Sequence, residues 1–581
     1  MNFTTADSIV FIGYILIIVG FGFWIAQRSS NDTPKDYFLA SGALPWWAVG
    51  GSLIASNIST EQILGMNGSG YVMGMAIAAY ELMAALTLLL VAKFFIPVFI
   101  KNGIYTMPQF LEKRYDSTVK TIMAFFWLAL FIFINITSIF YLGGLAIHTL
   151  TGYSIISGII FLSLYSAVFS IFGGLKAVVW TDVVQVVVLV VGGLVAAYSV
   201  LDAVSGGGGF LGGMNTLLEE APEKFNMILE KGHPSYLDLP GISVLIGGLW
   251  IANIYYWGNN QYIIQRALAA KSIGEAQKGV AFAALLKLLM PLIVVIPGIA
   301  AFVMQADIDK PDQAFPWVLS NYVGSGFRGL VFAALVAAIG SSISSMVNSV
   351  STIFTLDIYK PLISPHKGDK HYVNIGKITA AVALLIGVIL APLLGNLNQV
   401  FQYIQEYTTF ISPGVVAVFI LGIFWKRATS RAALAAILVS VPLSFFLKEF
   451  FPALPFIDRA AFTFLFIVAM MVVISLLGTA KNGQTRIKDS QFRWIVIGFI
   501  VLISLPSGVK FAFENGDVPA WFGYLIIVAC LSLVVTLLRE RNADNHKELI
   551  VDSTLFKTDR IFNISTFVVS LILALIYTMF W

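Results

Sequence analysis

The stretch Trp46-Trp47-Ala48-Val49-Gly50-Gly51-Ser52-Leu53-Ile54-Ala55-Ser56-Asn57-Ile58-Ser59-Thr60-Glu61-Gln62-Ile63-Leu64-Gly65-Met66-Asn67-Gly68-Ser69-Gly70 is long enough to cross a bilayer and too polar to do so as an ordinary span. Apolar residues carry it into the membrane, yet Ser56, Asn57, Ser59, Thr60, Glu61 and Gln62 fall together at its middle. Backbone in lipid must satisfy its own hydrogen bonds, so irregular polar chain at that depth has to face protein or a water-filled cavity. Intramembrane polar clusters of this kind mark solute or ion pathways.

The surrounding composition places that stretch in a membrane protein. Of 581 residues, 58% are apolar and 11% charged, and the mean hydropathy is +0.87; a soluble domain carries about 25% charged residues. The lone Cys530 excludes an internal disulfide, and the net charge of +4 describes loops rather than a nucleic-acid surface. The N-terminus lacks a basic leader and a small-residue cleavage site, so no cleaved signal peptide is expected. Apolar runs of about 20 residues predict about sixteen spans, the last three near Phe499, Ala529 and Ser570. With both termini outside, 26 of the 35 basic residues fall in cytoplasmic loops, Arg266 among them, against seven outside. That asymmetry sets the expected orientation. The longest outer loop, about Asp202 to Leu239, reads as a solvated connector, with a short surface helix as the alternative.

A second polar interruption follows near Gly241: Gly247-Gly248-Leu249-Trp250-Ile251-Ala252-Asn253-Ile254-Tyr255-Tyr256-Trp257-Gly258-Asn259-Asn260-Gln261. It falls in the seventh span and the first in the second, an odd offset that reverses orientation. Paired interrupted segments in two inverted halves point to a transporter's binding site. Spans two to six and seven to eleven are the expected halves.

Charged groups sit in neighbouring spans. Glu81 lies in the third and Lys287 in the eighth, where an unpaired charge costs several kcal/mol. Two readings stand: a structural ion pair, or groups facing a hydrated cavity. A carboxylate accepts hydrogen bonds and an ammonium donates them. Together with the amides of Gln62, Asn253 and Gln405 they suit an uncharged polyol or sugar better than a simple ion. Aromatics nearby (Tyr256, Trp257, Phe401, Tyr403) give faces for a sugar ring. The ninth span carries Ala338, Ser341, Ser342, Ser345, Asn348, Ser349 and Thr352 at spacings of three and four, one helical face. Such a stripe permits close helix packing and also offers the oxygens that hard cations prefer. Asp182, near the inner end of the sixth span, reads equally as a helix-end group at the membrane edge. No zinc-protease, hydrolase-elbow or phosphate-loop motif appears, so an enzyme is not expected, and uphill transport would draw on an ion gradient.

At these residues the chain resembles the sodium/solute symporter family in its sodium/glucose cotransporter branch. The resemblance covers nearly the whole chain. It is most specific over Trp46 to Tyr71, Gly173 to Asp182, Asn253 to Arg266, and Phe401-Gln402-Tyr403-Ile404-Gln405-Glu406-Tyr407. It implies an all-α polytopic fold with the five-plus-five inverted repeat of the leucine-transporter class plus peripheral helices. Within one transmembrane domain, 1–581, the first repeat spans 45–203, the second 240–424, and peripheral C-terminal helices 430–581. It implies a sugar site at Gln62, Glu81, Asn253, Lys287 and Gln405, an inner gate at Tyr256, and an outer gate at Met66, Tyr80 and Phe401. It implies sodium bound by backbone oxygens of Ala55, Ile58 and Ala338 and hydroxyls of Ser341 and Ser342, with Asp182 linked to coupling. The chain departs from the branch's galactose carriers at Ala84, where they have a serine hydroxyl, and in the two spans near Phe499 and Ala529.

The expectation is therefore sodium-coupled import of a hexose, galactose or glucose, by alternating access in the cell (inner) membrane. The protein would sit in the lipid bilayer as a monomer or weak homodimer, with no nucleic-acid partner. Symport of myo-inositol or a sialic acid, a non-transporting sugar sensor, and a sodium leak are the alternatives.

Overall fold

The computed structural model describes residues 3–28, 40–168, 170, 174–397, 399–478 and 549–581. Among the described residues the chain is helical throughout, and eleven helices are long and apolar enough to cross a membrane. The expected count of sixteen is not reproduced by that measure. The second and seventh spans are interrupted and the fifth, Ile155–Ala167, is short, while the spans near Phe499 and Ala529 lie outside the described residues.

Burial separates shaft from periphery. The Phe327–Thr352 helix, which carries the serine stripe, is buried on every side. Thr5–Arg28, Asp369–Leu390 and Arg560–Met579 bury only a narrow face and leave the rest apolar and exposed, as lipid-facing helices do. Trp46–Asn57 packs between Ile273–Lys287 and Gly174–Val204, and Gly174–Val204 packs in turn on Phe327–Thr352. Close approach requires glycine here. A Cβ at Gly50 would stand 2.4 Å from the Gly279 carbonyl oxygen, and one at Gly279 would stand 2.6 Å from that of Trp46.

Both interruptions form as the sequence predicts. Trp46–Asn57 ends where Ile58 leaves helical geometry (φ −73°, ψ 80°). A wide turn at Glu61–Gly65 then leads into Met66–Met73. The Ser59 hydroxyl accepts from the Glu61 amide at 3.2 Å, satisfying one donor freed by the break. The second segment runs Gly248–Ile254, a wide turn Tyr255–Asn259, an extended Asn260, then Gln261–Leu268. The two run in opposite directions. Leu44, just before the first, exchanges backbone hydrogen bonds of 3.0 Å with Ala269 and Lys271, just after the second, and the two breaks meet where Asn57 donates to Tyr256.

The 202–240 connection is not a bare solvated linker. It holds the Gly209–Glu220 helix, whose Leu217 is buried, and the turn Pro222–Phe225. Lys224 Nζ donates to the carbonyls of Tyr71 (3.1 Å) and Val72 (2.6 Å), capping the end of Met66–Met73. It also lies 3.9 Å over the Phe302 ring. Burial lowers its ammonium below the usual lysine value.

The connection after Ile296–Val303 clamps the same end of the bundle. Lys310 Nζ holds the carbonyls of Gly395 (2.5 Å) and Leu397 (3.2 Å), and Asp312 accepts from the Val400 amide at 3.2 Å. Burial pushes the Asp312 carboxyl up to about 7, against the smaller opposing pull of the Val400 N–H and the Lys310 charge. Packed, it therefore holds a proton between its ordinary 3.8 and about 7 that it would lose in water. Stability of the clamp accordingly falls as pH rises through that window. Hydrogen exchange at residues 309–314, corrected for intrinsic rates, should show stronger protection at pH 5 than at pH 8, and Asp312→Asn should erase the difference.

Candidate functional site

The two breaks, with the neighbouring helices, line one cavity, in which the space free of protein atoms is about 610 Å³ with open solvent included. Three wide helical turns line it: Glu61–Gly65, Leu130–Ile136 and Tyr255–Asn259. Such turns divert carbonyls from regular pairing and occur often at functional sites. Gln62, Glu81, Asn253, Lys287 and Gln405, named from sequence, all line this one cavity, as do Met66, Tyr80, Tyr256 and Phe401. Tyr403 is not among the lining residues, whereas Trp257 is. Ala84 lines it too, so the departure noted in the sequence removes a hydroxyl from the cavity wall.

Lys287 closes the last turn of Ile273–Lys287 and is 1% exposed. Its ammonium meets Glu81 Oε2 at 2.5 Å, donates to Asn57 Oδ1, and lies 5.1 Å over the Trp257 ring. The two form an ion pair, and both line the cavity. Breaking such a buried pair from one side costs about 3–5 kcal/mol. Asn57, which sequence reading left without a role, sits at the junction. Its Nδ2 donates to the Tyr256 hydroxyl at 3.0 Å, which also accepts from the Tyr262 hydroxyl at 2.7 Å. The side-chain Oε1 of Gln62 accepts from the Ser59 hydroxyl at 3.3 Å, and Asn253 Nδ2 donates to the Leu249 backbone carbonyl at 3.1 Å.

Aromatic side chains cover the end toward Lys224. Tyr80 and Phe401 meet edge to face, 5.4 Å apart at 85°, beside the buried Met66. At the opposite end the Tyr256 ring packs on Trp257 (5.0 Å) and Tyr262 (5.9 Å).

A second polar cluster lies beside the first break. Ala55, Ile58, Ala338, Ser341 and Ser342 are all buried there, and Ser342 donates to the Ser56 carbonyl at 3.2 Å. Asp182 is not the membrane-edge capping group that sequence allowed. It is fully buried, accepts from Ser52 (2.5 Å), Ser56 (3.3 Å) and Ser341, and pairs with Arg266 at 3.6 Å. Arg266, assigned from sequence to a loop, is buried in Gln261–Leu268 and donates to Ser52 at 3.0 Å and to Ser345. A buried carboxylate with no named cation was the signal that such a partner had to exist. Four residues of the stripe on Phe327–Thr352 bond to other elements: Ser341 to Asp182, Ser342 to the break, Ser345 from Arg266, and Ser349 to Gln265 at 3.1 Å.

Comparison with known proteins agrees with this architecture. The sodium/glucose cotransporter of Vibrio parahaemolyticus is 45% identical over 99% of this chain and 98% of its own. Human sodium/myo-inositol cotransporter 2 is 32% identical over 74% of this chain and 67% of its own. The uncharacterized symporter YidK of Escherichia coli is 32% identical over 80% and 83%. Among solved structures, a Na+-coupled sialic acid symporter in a substrate-bound outward-open state superposes with a TM-score of 0.72. It covers 82% of this chain and 99% of its own at 25% identity. A nucleobase-cation-symport-1 family transporter in a closed conformation shares the fold at TM-score 0.50 and 15% identity, over 77% and 96%. The helices thus have the leucine-transporter type of fold in a multi-pass membrane protein. The sodium:solute symporter family model matches residues 37–440, and the chain belongs to that family.

Proposed function

We propose that this protein imports a hexose, galactose or glucose, together with sodium, by alternating access across the cell (inner) membrane. The observation that carries the reading is the convergence of Glu81, Lys287, Gln62, Asn253 and Gln405 on one cavity at the two breaks. Glu81 neutralises Lys287 at 2.5 Å, so the cavity suits an uncharged solute with both donors and acceptors and leaves no free cation for a sialic acid carboxylate. Identity of 45% over the full chain to a sodium/glucose cotransporter supports sugar as that solute. Sodium is the coupling ion, as membership of the family indicates. Carbonyls of Ala55, Ile58 and Ala338 with the hydroxyls of Ser341 and Ser342 would hold it, and Asp182, bonded to Ser341, would link that site to the first broken segment through Ser52 and Ser56 and to the second through Arg266.

The polar network suggests how binding reaches the gate. A sugar hydroxyl that accepts from Lys287 competes with Asn57, and Asn57 holds Tyr256. Solute binding thereby loosens the residue that covers the inner end, while Met66, Tyr80 and Phe401 close the outer end. The 45–203 and 240–424 segments would move as the two inverted repeats, with 430–581 peripheral. Both termini face outside in this reading, and the protein acts as a monomer or weak homodimer, without enzymatic activity. One charge crossing ~100 mV supplies ~2.3 kcal/mol, and tenfold sodium adds ~1.4 kcal/mol. One-to-one coupling then supports accumulation of roughly several-hundred-fold.

Purified protein in liposomes under an inward sodium gradient should accumulate galactose or glucose in preference to myo-inositol and sialic acid. Sodium-driven uptake of none of them would reject symport of these solutes, and sodium flux without solute would mark a leak. Lys287→Ala should abolish uptake and lower thermal stability. The Glu81→Ala/Lys287→Ala pair should regain stability but not transport, since no unpaired charge remains buried. Gln405→Ala should raise the sugar half-saturation concentration by about tenfold, the cost of one hydrogen bond. Ser342→Ala should raise the sodium half-saturation concentration while leaving sugar affinity at saturating sodium near wild type.

A further inference from the structure

Glu61 and Asn135 are among the cavity-lining groups that have no part in that reading. Glu61 and Asn135 sit on two of the wide turns, Glu61–Gly65 and Leu130–Ile136, and are 3% and 5% exposed. Both side chains line the cavity, and neither Glu61 Oε1 nor Asn135 Oδ1 has a hydrogen-bond partner among the described residues. Both atoms are acceptors. The one lining cation, Lys287, is already committed to Glu81 and Asn57. Buried polar atoms are almost always satisfied, so an unpartnered pair at a cavity calls for a donor from outside the protein. Carboxyl and side-chain amide oxygens both accept hydrogen bonds from hydroxyls.

We propose that Glu61 and Asn135 form a second, hydroxyl-accepting subsite of the cavity, engaging a donor hydroxyl of the sugar other than those met by Glu81 and Lys287. The inference rests on the sugar-symport reading and adds a specificity rule to it. The ammonium beside Glu81 makes that end of the cavity both donor and acceptor, whereas Glu61 Oε1 and Asn135 Oδ1 add two unpartnered acceptors. A sugar lacking the hydroxyl that reaches Glu61 should then be discriminated against. Replacing that hydroxyl by an acceptor-only group such as fluorine should be as damaging as removing it.

The test uses the full-length protein in liposomes, with D-glucose, D-galactose and their monodeoxy analogues competing for sodium-driven uptake. In the wild type, one deoxy position should be penalised strongly. In Glu61→Gln the half-saturation for the parent sugar should rise about tenfold, the loss of a charge-assisted hydrogen bond, and the penalty at that one position should disappear while the others persist. Such selective loss identifies a direct contact, because interaction between two partners vanishes once either is removed. An equal loss across all analogues, or an unchanged pattern, overturns the subsite and leaves the sugar reading intact. Failure of the wild type to take up any of these sugars overturns both. If Glu61→Gln does not yield folded protein, Asn135→Ala, on a separate helix, is read against the same panel by the same criteria.

Discussion

One ammonium group governs the centre of this molecule. Lys287 stands in a bundle surrounded by apolar helices, where a charge persists only if it is paired and hydrogen-bonded. Its three protons reach Glu81 on Ala79–Phe94, Asn57 at the first break, and the ring face of Trp257 on the second. Those demands fix where three separate elements stand relative to the eighth span. Asn57 extends the network to the second break, since it also donates to Tyr256.

The Asp182–Arg266 pair repeats the principle beside the first break. Replacing a buried ion pair by apolar residues is often neutral or stabilising, so net stability does not account for it. What the pair does is join elements. Ser52 and Ser56 come from the first broken helix, Ser341 and Ser345 from the buried shaft, and Arg266 from the second broken segment. Ser56 faces both ways: its hydroxyl meets Asp182 and its carbonyl accepts from Ser342. Short polar contacts thus connect Ser342 with both broken segments, through Ser56, Asp182 and Arg266.

Much of this was legible along the chain. A polar run inside an apolar span cannot face lipid, so Trp46–Gly70 had to contain a break, and Gly247–Gln261 had to be its counterpart. Glu81 and Lys287 announced themselves by their cost in lipid. Other residues gave weaker signals. Asn135 is a single amide among Leu130, Phe131, Ile132, Phe133, Ile134 and Ile136, easily read as part of an ordinary span. Arg266 resembled a loop residue because it sits near Lys271 and Lys278, and only the packing of Gln261–Leu268 shows it buried. The 202–240 connection read as solvent-facing, since nothing in its own composition records that Lys224 would cap carbonyls 152 and 153 residues away in the chain.

The sequence by itself determined that the chain is a helical membrane protein with two polar interruptions of opposite direction and buried charges that require partners. Hydropathy and the cost of unpaired polar groups in lipid are local properties, readable residue by residue. Which charge meets which partner was decided by the tertiary structure. Asn57 rather than Gln62 accepts the hydrogen bond from Lys287, Arg266 pairs with Asp182, and Glu61 Oε1 and Asn135 Oδ1 are left without partners among the described residues. Hydrogen bonds act over about 3 Å and depend on direction, so pairing follows from how distant helices cross, which no spacing along the chain encodes.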